Sequence, residues 1–233
     1  MGRRRATRWR GRANPLPGDA LACYHRGENR NDRSGERAIN LCVFCASSPG
    51  VSPIYAEAAA EVGRAIARRG ITLVYGGGSV GLMGILADAV MAAGGIAHGV
   101  ISRGLFEREI AHLGLTSLDV VETMHERKLR MAELADGFLA LPGGIGTFEE
   151  IFEQWTWAQL GIHAKACGFL NVAGYFDPLL SMIERMREER FVADAHVQMV
   201  LIDDRIERMI DRFADYDPPP LKWTGGRTEA IEP

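Results

Sequence analysis

Short apolar runs alternate with segments of helical periodicity along the chain from Ile39 onward. Each run is followed by a glycine-rich or polar turn, and this alternation is typical of βαβ units. Several runs are almost continuously apolar, as strands buried on both faces of a sheet are. The runs predict strands at residues 40–45, 72–75, 96–101, 118–122, 138–141, 166–171 and 199–202.

The periodic segments between these runs predict helices. Pro53 suits the first turn of a helix, and Gly70 suits a position just after a helix end. The predicted helices are residues 53–69, 80–93, 124–135, 147–160, 176–190 and 203–213. The alternation predicts one α/β domain, a Rossmann-like three-layer sandwich with a mostly parallel sheet.

Charge is distributed unevenly along the chain. Residues 1–37 contain ten arginines and four acidic residues, a net charge of +6, whereas the whole chain carries −3. We expect residues 1–37 to be a disordered basic leader, residues 38–217 to form the domain, and residues 218–233, which begin with three prolines, to be a tail. Basic arms can bind nucleic acid, but the acidic remainder argues against a nucleic-acid partner.

The composition is that of an ordinary globular protein, with 47% hydrophobic and 24% charged residues. The most apolar run, residues 80–97, contains Asp88 and four glycines, so no membrane-spanning helix and no membrane partner are expected. The four cysteines are unevenly spaced, and no secretory signal segment is evident. We therefore expect a cytoplasmic protein without a disulfide framework.

The sequence GGGSVGLMG at residues 76–84 follows a predicted strand and opens a helix. It contains the G-x-G-x-x-G pattern of dinucleotide-binding folds, which also need an acidic residue about 20 positions later for the ribose. The next predicted strand is followed by Ser102 and offers no carboxylate, so NAD is not expected. Two interpretations remain, namely a tight turn with positive φ and close packing, and a site for a mononucleotide or its phosphate.

A second glycine cluster, PGGIGTFEE at residues 142–150, also joins a strand to a helix. Glycines let the backbone approach a ligand, and the N–H groups of a helix start favour an anion such as phosphate. It is not a Walker A loop, because no Gly-Lys-Ser/Thr follows. An alternative role for Thr147 and Glu150 is a capping box, in which the glutamate only satisfies the threonine N–H.

Arg127 lies near the start of the helix that precedes the strand at residues 138–141. In a parallel sheet all such helices begin at the same edge, so Arg127 and Glu150 can converge where these folds bind ligands. A carboxylate beside a guanidinium stays ionised, which suits stabilising a cationic transition state or orienting water. The alternative is two solvated charges at helix starts.

The cysteine, histidine and tryptophan positions give weaker signals. Cys42 and Cys45 face opposite sides of a strand, which predicts two buried thiols rather than a redox or zinc pair. His125 lacks the second histidine of a zinc-protease motif, so no metal site is expected. Trp155, Trp157 and Leu160 are expected to pack in the interior, with a subunit contact as a second role for Trp155 or Trp157.

Together these motifs resemble the Lonely Guy family of cytokinin-activating phosphoribohydrolases, which is often labelled lysine decarboxylase. The resemblance covers the chain from Ile39 to about Asp215. The matching motifs are GGGSVGLMG at 76–84, RE at 108–109, M-H-x-R-K at 124–128, PGGxGTxxE at 142–150, TWAQLGIH at 156–163 and GY at 174–175.

The resemblance implies a Rossmann-like homodimer that hydrolyses the N-glycosidic bond of a cytokinin riboside 5′-monophosphate, releasing free base and ribose 5-phosphate. No cofactor is implied, and nothing in the sequence identifies a lysine that would hold pyridoxal phosphate. The family's catalytic arginine and glutamate correspond to Arg127 and Glu150. Its substrate-binding positions correspond to Glu109, Lys128, Gly143, Gly144, Ile145, Gly146, Thr147, Phe148, Glu149 and Thr156.

Our mechanistic hypothesis is that residues 143–147 hold the 5′-phosphate while Glu150 stabilises an oxocarbenium-like ribose and positions water. Arg127 would orient Glu150 and the ribose or phosphate. Three other functions stay open. They are a broader nucleosidase for AMP and other purine nucleotide 5′-monophosphates, a nucleotide carrier or sensor without catalysis, and a nucleic-acid-binding protein that uses its basic arm.

Overall fold

Parallel strands form the centre of the fold in the computed structural model, which describes residues 39–108 and 110–219. Within these residues there are seven strands. They are β1 (Asn40–Phe44), β2 (Thr72–Tyr75), β3 (Ile96–Ser102), β4 (Ser117–Val121), β5 (Gly137–Ala140), β6 (Ala166–Leu170) and β7 (Val200–Asp203). All neighbouring strands pair in parallel, in the order β4-β3-β2-β1-β5-β6-β7.

The helices of the described residues connect these strands. They are α1 (Pro53–Arg68), α2 (Gly81–Ala92), α3 (Arg103–Phe106), α4 (Met124–Leu134), α5 (Ile145–Gln159), α6 (Asp177–Glu188), α7 (Asp194–Val197) and α8 (Ile206–Ala214). A short 3-10 turn at Val172–Gly174 follows β6.

The side chains of β1 and of Cys45, which follows it, divide the core into two layers. Leu41, Val43 and Cys45 pack with α1, α2 and α8 on one face, whereas Cys42 and Phe44 pack with α4, α5 and α6 on the other. This division follows from the alternation of side chains along a strand. The result is the three-layer α/β sandwich predicted from the sequence, in one domain.

Helices α1 and α2 pack closely because Gly63 has no side chain. A Cβ atom at Gly63 would lie 2.6 Å from the Leu86 carbonyl oxygen. The N-terminus of α1 is fixed by Ser52, whose side chain accepts a hydrogen bond from the Ile54 N–H, and by Pro53 in the first turn. The loop after β1 contacts the start of α2, where the Leu82 N–H donates to the Ala46 carbonyl at 3.0 Å.

Every predicted strand is present, with each end within one residue of its predicted position. The helix predictions were less accurate. The short helices α3 and α7 were missed, because four residues are too few to show a helical period. The prediction that the last helix begins at residue 203 was wrong, since Asp203 ends β7 and its carboxylate accepts a hydrogen bond from the Arg205 N–H before α8 begins.

The predicted leader at residues 1–37 and nearly all of the predicted tail at residues 218–233 lie outside the described residues, so both stay predictions. Within the described ranges, no helix combines the length and the apolar character that crossing a membrane requires.

Candidate active site

The order of the strands reverses at β1, in the centre of the sheet. The chain runs outward from β1 to β4 and then returns to β5, which pairs with the other side of β1. The connections after β1 and β5 therefore lead in opposite directions, and folds of this type bind ligands at such a point. The regular geometry of a parallel sheet thus brings the starts of α4 and α5 to the same edge, as the sequence predicted.

The buried side chain of Arg127 lies at this edge, in the first turn of α4. Its guanidinium donates three hydrogen bonds, from Nε to the Val100 carbonyl at 3.0 Å, from Nη1 to Glu150 Oε1 at 2.8 Å, and from Nη2 to the Gly76 carbonyl at 3.3 Å. The predicted convergence of Arg127 and Glu150 is therefore observed, and the alternative of two solvated charges is wrong for this pair.

Gly76 makes room for that guanidinium. A Cβ atom at position 76 would lie 1.9 Å from Arg127 Nη2, which is far inside van der Waals contact. The first glycine cluster thus has a local structural task that sequence reasoning missed. Two other glycines of the cluster fit the expected tight turn, because Gly77 and Gly81 have φ values of 70° and 59°.

Glu150 is largely buried beside Arg127, with 13% of its side chain exposed. Burial raises the pKa of Glu150, and the charge and hydrogen bond of Arg127 only partly oppose this shift. The pair therefore provides a carboxylate with more than ordinary affinity for a proton, held in one orientation by a guanidinium.

The second glycine cluster forms the turn into α5, and the helix begins at Ile145 rather than at the predicted residue 147. Gly144 is the N-cap residue and no side chain caps the helix. The capping-box alternative is therefore wrong, because Thr147 lies inside the helix and Glu150 binds Arg127 instead. The glycines at 144 and 146 are exposed, and a Cβ atom at either position would meet open space.

Gly143, in contrast, is needed for packing. A Cβ atom there would lie 2.1 Å from Thr147 Oγ1, and both residues are buried. The turn therefore has a tightly packed base at Gly143 and Thr147 and an exposed outer part at residues 144–146. The N–H groups of this outer part lie at the helix start, where no carbonyl of the helix accepts a hydrogen bond from them.

Lys128 lies next to Arg127 and binds two carboxylates of α5. Its Nζ is 2.5 Å from Glu149 Oε1 and 3.0 Å from Glu153 Oε1. Burial acts to lower the pKa of Lys128, but these two hydrogen bonds outweigh burial and raise it. Sequence reasoning missed Glu153, although Glu149 and Glu153 share one face of a helix at a spacing of four residues.

The other predicted site residues of α5 differ in their contacts and exposure. Phe148 packs edge-on against Phe176, with ring centroids 5.9 Å apart, and Ile145 is 89% exposed. Thr156 donates its hydroxyl to the Phe152 carbonyl of its own helix at 2.7 Å. Glu109 lies outside the described residues, so its position stays a prediction.

The cysteines of the described chain are free and buried, as predicted for Cys42 and Cys45, which lie on opposite faces of the sheet. Trp155 is an interior residue whose Nε1 donates to the His196 carbonyl at 2.9 Å. In the described ranges, no group of three His, Cys, Asp or Glu side chains is placed to hold a metal ion.

Comparison with known proteins gives concordant matches. The family model described as possible lysine decarboxylase matches residues 83–213. A probable cytokinin riboside 5′-monophosphate phosphoribohydrolase of Oryza sativa subsp. japonica is 46% identical over 193 residues, covering 80% of this chain and 79% of the relative. A cytokinin riboside 5′-monophosphate phosphoribohydrolase of Arabidopsis thaliana is 43% identical over 187 residues, covering 80% of this chain and 86% of the relative.

Solved structures support the fold. The molybdenum cofactor binding protein of the phototrophic bacterium Rippkaea orientalis aligns with a TM-score of 0.60 and 20% identity, covering 77% of this chain and 97% of that one. At this identity the likeness concerns the fold alone. The family match and the two curated relatives confirm the resemblance seen in the motifs, and the chain belongs to the family described as possible lysine decarboxylase, which includes the cytokinin riboside 5′-monophosphate phosphoribohydrolases.

Proposed function

We propose that the protein hydrolyses the N-glycosidic bond of cytokinin riboside 5′-monophosphates, which are N6-substituted AMP molecules, to the free base and ribose 5-phosphate. The observation that carries this proposal is the buried Arg127–Glu150 pair beside the uncapped start of α5. One site then offers a carboxylate for the sugar and backbone N–H groups for a phosphate. The names of the curated relatives support the same reaction.

The 5′-phosphate is held by the turn at residues 143–147. Its support is the exposed, uncapped helix start, where unpartnered N–H groups and the helix dipole both favour an anion. Gly144 and Gly146 border open space, so packing inside the protein gives no reason for glycine there. Close approach of a ligand to the backbone does give one.

Glu150 acts on the ribose. As the bond between C1′ and the base nitrogen breaks, its electron pair leaves with the base, and the ribose becomes an oxocarbenium-like cation that a carboxylate stabilises. Water then bonds to C1′ through its oxygen, and its released proton passes by way of Glu150 to the departing base nitrogen. The raised pKa of Glu150 suits a group that must accept and return a proton.

Arg127 orients Glu150. Three hydrogen bonds hold the Arg127 guanidinium in place, and one of them is to the Glu150 carboxylate. Lys128 binds Glu149 and Glu153, and its single positive charge offsets part of their negative charge beside Glu150. Glu109, Ile145, Phe148, Glu149 and Thr156 complete the proposed substrate site.

Neither lysine of the described residues, Lys128 or Lys165, fits the decarboxylase chemistry that the family description suggests. A lysine that holds pyridoxal phosphate must react as a free amine. Lys128 is bound by two carboxylates that raise its pKa and keep it protonated. Lys165 donates Nζ to the Ala132 carbonyl at 2.6 Å and immediately precedes β6, at the opposite edge of the sheet from Glu150.

The proposal includes a homodimer in the cytoplasm. Leu129 of α4 and Leu160, which caps the C-terminus of α5, are 40% and 51% exposed, so the expectation that Leu160 packs in the interior was wrong. The two helices are neighbours, because Lys128 of α4 binds Glu153 of α5, and we take these exposed leucines as the subunit contact. The buried free thiols favour a reducing compartment.

Sedimentation should give a mass twice that of the chain, and the Leu129→Glu substitution should lower the measured mass. A wild-type monomer, or recovery of the protein outside the cytoplasmic fraction, would contradict these two statements.

Parallel incubation with N6-isopentenyladenosine 5′-monophosphate and AMP tests the reaction, with free base and ribose 5-phosphate measured by chromatography. We expect both products, and a higher kcat/KM for the isopentenyl substrate. Equal or faster cleavage of AMP would instead make the protein a broad nucleotide nucleosidase. Binding of both nucleotides without cleavage would make it a carrier.

A further inference from the structure

The hydroxyl of Tyr175 donates a hydrogen bond of 2.6 Å to the carbonyl oxygen of Gly143. The two residues are 32 positions apart in the chain, and the bond is partly buried. It joins the segment after β6 to the base of the turn that precedes α5. No other side chain of the described residues donates to this carbonyl.

The backbone around Tyr175 is held in an unusual conformation. Ala173 and Gly174, which precede it, have φ values of 51° and 72°, in the left-handed region. Such a conformation at an alanine costs about 1 kcal/mol and persists where surrounding contacts determine it. Here Asn171 provides them, because its Oδ1 accepts from the Phe176 N–H at 2.8 Å and its Nδ2 donates to Asp177 Oδ1 at 2.7 Å.

Two aromatic rings fix the ring of Tyr175. Tyr55 of α1 packs edge-on against it with centroids 5.6 Å apart, and Phe176 does so at 5.1 Å. The side chain therefore has little freedom to move away from Gly143. Its hydroxyl is presented to the turn by a rigid support, which is the usual arrangement behind an organised binding site.

The bond determines where the next N–H group points. The described residues contain only trans peptide bonds, and in a trans peptide the C=O of one residue and the N–H of the next point in opposite directions. When Tyr175 holds the Gly143 carbonyl, the Gly144 N–H is directed away from Tyr175. Gly144 is exposed and is the N-cap of α5.

We infer that Tyr175 is a positioning residue that orients the Gly143–Gly144 peptide so that the start of α5 binds the 5′-phosphate of the substrate. This inference rests on the proposed function, because it takes the turn as the phosphate site. Tyr175 itself does not touch the reacting atoms. Its effect is on affinity for the phosphorylated half of the ligand and not on the chemical step at C1′.

The test compares Tyr175→Phe with Tyr55→Phe, in which the same hydroxyl is removed from the neighbouring ring. Dissociation constants are measured by calorimetry for ribose 5-phosphate and for N6-isopentenyladenosine, which lacks the phosphate, and kcat and KM are measured for the nucleotide. For Tyr175→Phe we expect the dissociation constant of ribose 5-phosphate and the KM to rise about threefold to tenfold, as loss of one hydrogen bond implies. Nucleoside affinity and kcat should stay unchanged, and Tyr55→Phe should match the wild type.

A structural role alone would give a different pattern, with nucleoside and ribose 5-phosphate affinity weakened together. That result, or unchanged ribose 5-phosphate affinity in Tyr175→Phe, would overturn the inference while leaving the proposed reaction in place. If the wild type binds ribose 5-phosphate but cleaves no nucleotide, the proposed function fails, and weaker binding by Tyr175→Phe still supports the positioning role. A wild type that does not bind ribose 5-phosphate overturns both.

Discussion

Arg127 Nη1 and Glu150 Oε1 lie 2.8 Å apart across 23 positions of sequence, and only 7% and 13% of the two side chains are exposed. Removing one member of such a pair leaves the charge of the other buried without a counter-charge, which typically destabilises a protein by about 3–5 kcal/mol. The pair therefore links the stability of this edge of the sheet to its chemistry.

The stability of the protein should depend on pH through Glu150. Burial raises the pKa of this carboxyl above its ordinary value of 4.5, so the folded protein holds the proton more tightly than the unfolded chain does. The stability that the protonated group contributes is present below pH 4.5 and is lost as pH rises through the raised pKa. Urea unfolding of Glu150→Gln and wild type over this range should show the variant gaining relative stability as pH rises. A constant difference would contradict the shift.

Gly76→Ala should lower activity without unfolding the protein. The new methyl group would lie 1.9 Å from Arg127 Nη2, and the guanidinium is the part that can move. Displacement by about 1 Å misaligns Glu150, for which we expect a loss in kcat/KM of about tenfold to a hundredfold. Gly104→Ala is the matched control, because its Cβ would meet open space. Equal activity of the two variants would contradict the claim that catalysis depends on the position of the Arg127 guanidinium.

Thr123→Ala should destabilise the helix that carries Arg127. Thr123 is the N-cap of α4, and its hydroxyl accepts a hydrogen bond of 3.1 Å from the Glu126 N–H. Loss of such a cap costs about 1 kcal/mol. Urea unfolding at neutral pH should show this loss for Thr123→Ala and nearly none for Thr123→Ser, which keeps the hydroxyl. Equal losses in the two variants would mean that the methyl group, not the cap, matters.

The fold and the central pair were predictable because both depend on regular features. Apolar runs and turns locate the strands, and a parallel sheet brings helix starts such as those near Arg127 and Glu150 to one edge. The predicted start of α5, residue 147, was two residues too late. Gly144 caps the helix with its backbone alone, and the glycines of Gly-Ile-Gly have a low helix propensity, so neither feature indicates a helix start in the sequence.

The supporting contacts could not be predicted in the same way. The Tyr175–Gly143 bond and the contact of Gly76 with Arg127 join segments that are distant in sequence, and their existence depends on loop conformations. Helical periodicity could have predicted that Glu153 shares a face of α5 with Glu149, since it lies one turn later. That both carboxylates bind Lys128 of α4 becomes evident only when the two helices are placed side by side.

The most direct test of the account is single-turnover hydrolysis of N6-isopentenyladenosine 5′-monophosphate by the wild type and by Glu150→Gln. Glu133→Gln, which changes an exposed carboxylate of α4, is the control. We expect Glu150→Gln to fold, to bind the nucleotide, and to form free base and ribose 5-phosphate at least about a hundredfold more slowly, while Glu133→Gln matches the wild type. A Glu150→Gln protein that releases base at the wild-type rate would contradict the central claim and remove this carboxylate from the chemistry.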